Sequence, residues 1–131
     1  MNREKLLELY KKYDLQKDDV YKHQHYVIIT RQGIEKIQAK ENITITYEVV
    51  KCETNFAVFK ANAYLSAKPN TILETFGSAL KGANYKDGNC NSWYVAEMAE
   101  KRALSRAVLK LTGFYELGVF GEDESDDFKK K

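Results

Sequence analysis

Arg102, Arg106 and Lys110 recur at every fourth residue within Asn91–Gly113, the run NSWYVAEMAEKRALSRAVLKLTG. On a helix of 3.6 residues per turn, that spacing sets three cations on one stripe, about 6 Å apart. Such a row suits the successive phosphates of a polyanion better than one small acid. Lys101 stands beside the row, and from Lys101 to Lys110 every charged residue is positive. Ala99 and Ala103 flank it, so little bulk should shield the guanidinium groups. Ala96, Leu104, Ala107, Val108 and Leu111 fall on the opposite side, which the spacing assigns to the core. A cation-rich edge is also the ordinary composition of a solvated helix face. Here, however, only Glu97 stands four residues from a cation, Lys101, so the Arg row has none of the mixed signs that such faces carry.

A second group precedes the helix. The segment Lys81–Asn91 (KGANYKDGNCN) combines Lys81, Tyr85 and Lys86 with Gly and Asn, and Trp93 and Tyr94 open the helix. Basic side chains hold phosphates, while an exposed aromatic ring offers a stacking surface to an unpaired base. A basic–aromatic loop leading into a basic helix is therefore the pattern of a single-strand binder. Trp93 and Tyr94 could equally staple the helix start to a sheet. Lys36 and Lys40 share a face of another helix, and an ordinary solvated surface accounts for them.

Residues for covalent chemistry are harder to find. The chain has no P-loop, GxGxxG, GxSxG or HExxH motif, and no nuclease carboxylate spacing. His23 and His25 form an HxH pair that could reach a zinc ion with Cys52 or Cys90, but no second ligand pair has metal spacing. Exposed histidines are the simpler reading, and neither catalysis nor a cofactor is expected.

The elements that position these groups fit one domain. The chain has 131 residues, 44% hydrophobic and 31% charged, enough for a single core. Net charge is +2. The last ten residues hold five acids and three lysines, a net −2, so the body before them carries +4. A basic body with an acidic tail is common in nucleic-acid binders, since the tail competes with phosphate; a solubilising terminus has the same composition. The two cysteines lack CxxC spacing, the N-terminal run MNREKLLELYKKY is charged from residue 3, and no apolar run is long enough for a membrane span. These features read as an intracellular, reduced protein with no membrane partner.

Residues 2–13 pattern as a short helix through Leu6, Leu9, Tyr10 and Tyr13. A strand at Tyr26–Thr30 follows, then a helix at Arg31–Lys40 capped by Thr30 and closed by Asn42. Strands are expected at Ile43–Lys51, Phe56–Ser66 and Ile72–Gly77, with turns at Glu53–Asn55 and Lys68–Asn70. The long helix should pack across one face of that sheet. The expectation is an α+β domain over residues 1–121: an antiparallel three- to four-stranded meander packed by one long C-terminal helix, with short N-terminal helices. Residues 122–131 form a charged tail.

The run Glu100–Gly113, EKRALSRAVLKLTG, resembles the helix segment of Rad fifty-two-like single-strand annealing proteins, where a Lys-Arg-Ala-Leu core precedes another Arg and a Gly-terminated turn. The flanking ILETFGSA and FYELG are similar to segments of small phage recombination proteins of that superfamily, over roughly Ile43 to Gly118. The resemblance implies that Lys101, Arg102 and Arg106 contact single-stranded DNA phosphates. It also implies a ring or filament of subunits whose shared groove presents bases for pairing, in the cytoplasm of a bacterial host, without nucleotide hydrolysis. The expected site is thus Lys81, Tyr85, Lys86, Trp93, Lys101, Arg102, Arg106 and Lys110, with a homo-oligomer as the assembly. Asp126-Asp127-Phe128 is similar to acidic–aromatic tips that recruit replication partners, although three lysines follow it. Two rival readings remain: a nucleotide pocket lined by the same Arg residues and Trp93, and a protein adaptor working through Phe114–Phe120.

Overall fold

A computed structural model describes residues 3–23, 26–81 and 95–122. Helix α1 spans Arg3–Lys12 and buries Leu6. One 3₁₀ turn at Lys17–Asp19 leads into the short strand β1 (Val20–His23), which pairs antiparallel with β2 (Tyr26–Ile29). Helix α2 spans Arg31–Glu41. The Thr30 hydroxyl accepts the Gly33 amide at 3.2 Å as its N-cap, and Asn42 ends it in the left-handed region at φ 50°. Both caps lie where the sequence sets them.

The meander follows as β3 (Thr44–Cys52), β4 (Phe56–Tyr64) and β5 (Leu73–Leu80), antiparallel throughout and ordered β3-β4-β5. A bulge between Val49 and Lys51 bends β3. Alternation explains the covered face of this sheet: Ala57, Ala61 and Ala63 of β4 and Thr75, Gly77 and Ala79 of β5 are buried. Helix α3 (Val95–Leu111) lies on that face. The class is α+β, with the C-terminal helix packed on the sheet as expected.

Two elements depart from expectation. The chain after Gly113, to which the sequence pattern assigns no element, makes a 3₁₀ turn at Tyr115–Leu117 and a third short strand, β6 (Val119–Gly121). β6 pairs parallel with β2, Val27 against Val119 and Ile29 against Gly121, so a second three-stranded sheet exists in the order β1-β2-β6. β2 is its central strand, and Val27, Ile28 and Ile29 are all buried. The second departure is the N-terminal hairpin itself, since β1 occupies Val20–His23, ahead of the first expected strand at Tyr26.

Helix α3 touches both sheets. Its Ala99 and Ala103 lie so close to Gly77 that a β-carbon there would overlap the Ala99 carbonyl and the Ala103 amide. On its other side Ser105 sits against Gly121 of β6. The main core gathers Leu6, Tyr13, Ile34, Ile37, Val108, Leu109 and Phe114 between α1, α2, α3 and the smaller sheet. A smaller cluster of Ala57, Ala79, Val95 and Ala99 lies under the first half of α3.

Candidate nucleic-acid interface

Helix α3 carries the expected stripe, but the stripe faces the protein. Arg102 is 3% exposed, and its Nη1 donates to the Ser78 carbonyl at 2.8 Å. Arg106, half-buried, donates from Nη1 to the Phe76 carbonyl at 2.9 Å. The small residues beside the row explain this orientation. Ala99 and Ala103 are buried against Gly77 instead of leaving the guanidinium groups open, because only small side chains let helix backbone meet strand backbone. Thr75 adds a buried hydroxyl bond to the Ala103 carbonyl at 2.8 Å. Of the residues assigned to the opposite face, Ala107 and Val108 are buried, whereas Ala96, Leu104 and Leu111 are only partly so. The core side is therefore wider than the spacing indicated and includes the Arg102 position. The missed signal is the AxxxA pair itself.

The geometry has a simple basis. Four residues of helix rise about 6 Å, and two residues of strand rise about 6.7 Å. Because α3 runs antiparallel to β5, Arg102 meets Ser78 and Arg106 meets Phe76, alternate residues whose carbonyls point the same way. Among the described residues β5 is an edge strand of its sheet, so those carbonyls meet no strand there. The two arginines fill that role. A long charged side chain that caps an edge carbonyl satisfies an otherwise open acceptor and blocks pairing by another strand.

The other expected site residues divide into two groups. Lys101 is half-buried, Lys110 is exposed with its Nζ 5.1 Å from the centre of the Tyr115 ring, and Lys81 donates its amide to the Asn55 carbonyl at 2.7 Å. Lys81 thus stands at the end of β5, on the strand the arginines grip. Tyr85, Lys86, Trp93, Cys90 and His25 lie outside the described residues, as does the tail beyond Glu122. Cys52 is exposed, and no group of three or more metal-ligand side chains occurs among the described residues. No helix among them is long and apolar enough to cross a membrane.

Two features were not read from the sequence. The open face of the larger sheet exposes large apolar side chains along β5, Phe76 at 48% and Leu80 at 40%. Across that face Lys60 lies between Glu48 (3.5 Å) and Glu74 (2.5 Å), so its charge is met on both sides. Lys36, a cation of the α2 face, is also engaged: its Nζ lies 2.6 Å from Oδ2 of the buried Asp19, which accepts the Gln16 amide at 2.9 Å as well. Burial opposes the charge of Asp19, yet Lys36 and the Gln16 amide outweigh it and hold the carboxyl below its ordinary value.

No protein-family model, curated protein or solved structure matches the chain. Function must therefore be argued from the residues alone. Arg106 at the strand edge, Lys81 at the strand end and the exposed Phe76 ring on the open face distribute cations and an aromatic surface along one strand. That combination can hold a phosphate and stack a base. Arg102, in contrast, is placed to hold the fold.

Proposed function

We propose that the protein binds single-stranded DNA along the outer edge of β5 and promotes strand annealing as a homo-oligomer, in phage-type recombination and without catalysis. The observation that carries this reading is on β5 itself: Arg106 is anchored at 2.9 Å on the Phe76 backbone carbonyl at the strand edge, and the Phe76 ring on the open sheet face is 48% exposed. In this arrangement Arg106, Lys81, Lys101 and Lys110 supply phosphate contacts, and Phe76 with Leu80 receives unpaired bases. Arg102 is withdrawn from the contact set and acts as the brace that keeps β5 and α3 in register. A backbone held at a strand edge leaves the far side of each base free for a complementary strand.

The test is fluorescence anisotropy with labelled single strands of increasing length, at low and moderate salt. Affinity should rise with strand length well beyond that for a mononucleotide. Phe76→Ala should weaken binding about tenfold, the scale of one lost base–aromatic stack. Lys101→Ala with Lys110→Ala should reduce the salt slope by about 1.4, at about 0.7 per single-strand phosphate contact. Equal affinity for mononucleotides and long strands would move the reading to a nucleotide pocket. An unaltered Phe76→Ala variant would remove β5 as the site.

A further inference from the structure

A cleft of about 480 Å³ opens between α1 and the β1–β2 hairpin, and no residue of β5 lines it among the described residues. Arg3, Leu6, Leu7 and Tyr10 form one wall, at the i, i+3, i+4, i+7 positions of a single helix face. Val20, Tyr21, Lys22 and Val27 form the other. Leu7 is 50% exposed and Tyr21 39%, so the mouth as well as the floor is apolar. Among the described residues, the charged ones lining it are Arg3 and Lys22, both exposed. Neither has an ion-pair partner among the described residues.

We propose that this cleft docks an acidic linear segment of a partner protein that carries a bulky apolar side chain. The volume falls in the range of side-chain and ligand pockets, and the floor of Leu6, Val20 and Val27 rewards aliphatic or aromatic burial. The paired cations at the rim complement carboxylates on either side of the buried anchor and repel basic segments. A nucleobase fits less well. Its polar edges would face that aliphatic floor and lose the hydrogen bonds they make to water. The recognition mode is a short segment laid against a helix face and a hairpin, anchored by one or two apolar side chains.

The probe is a fluorescein-labelled peptide, Glu-Asp-Asp-Phe-Glu-Asp-Leu-Asp-Asp, titrated by anisotropy against the full chain. Saturable binding is expected. It should weaken at least about tenfold in Leu7→Asp and in Lys22→Glu, which alter exposed side chains, with circular dichroism confirming the fold. It should vanish for the same peptide with Ser in place of Phe and Leu. Equal binding of the Ser peptide, or full binding by Leu7→Asp, overturns the proposal, because attraction would then be charge alone or elsewhere. Absence of binding overturns it too. A full-chain variant with Asp126→Asn, Asp127→Asn and Phe128→Ser is titrated in parallel. Binding to that variant alone overturns the partner assignment in favour of the chain's own acidic–aromatic segment. Single-strand DNA affinity of Leu7→Asp should stay at the parent value, so failure of this proposal and failure of the nucleic-acid reading give different results.

Discussion

At the scale of single residues, Arg102 and Arg106 illustrate how one residue type at one spacing supports two different roles. Both sit on the same helix stripe, yet Arg102 is buried on Ser78 and Arg106 is half-buried on Phe76. Removing either therefore takes away a bond that ties α3 to β5. Arg102→Ala should destabilise the protein by about 2–4 kcal/mol, read as a lowered urea midpoint, because it vacates a buried site and orphans the Ser78 acceptor. Phe76→Ala, on an exposed side chain, should leave that midpoint nearly unchanged. Asp19 provides a pH-dependent counterpart. Its folded carboxyl is held below the unfolded value of about 3.9, so its contribution is complete above that range and is lost as pH falls through the lowered folded value. Urea midpoints recorded from neutral to acid pH should therefore fall less steeply in Asp19→Asn than in the parent. Lys36→Met should be strongly destabilised at neutral pH, since it strands a buried carboxylate.

Element by element, the contact of α3 with β5 depends on the absence of side-chain bulk at Gly77. Gly77→Val should cost at least about 2 kcal/mol and lower the thermal midpoint by several degrees, because backbone atoms of Ala99 and Ala103 occupy the space it needs. Much of this architecture was legible from the chain. The alternation in β3 and β4, the Thr30 and Asn42 caps of α2, and the unbroken pattern of α3 are local signals, and each element formed where its pattern indicated. What escaped notice was non-local. β1 has four residues and β6 three, too few to show a period, and β6 is a strand only because it meets β2 across the whole chain. The inward turn of the Arg stripe was hidden for a related reason. Helical spacing fixes which residues share a face, but the neighbour that the face meets is decided by Gly77, on another element.

For the molecule as a whole, the two arginines and the β3 bulge protect the two edges of the larger sheet in different ways. Arg102→Ala with Arg106→Ala should make the protein associate in a concentration-dependent manner by light scattering, through the unmasked β5 edge, even without DNA. The smaller sheet has a different weakness. Arg31, the first residue of α2 just after β2, donates its amide to the Glu122 carboxylate, 91 residues further along, and β6 joins β2 immediately before that point. During synthesis, the hairpin β1–β2 must therefore wait for nearly everything else to emerge before its third strand exists. Until residues 119–121 leave the ribosome, one side of Tyr26–Ile29 is an unpaired apolar edge in a crowded cell. A nascent chain whose residues 119–121 are still inside the ribosome would be a natural client for chaperones, whereas one that has cleared it would have its last strand in hand.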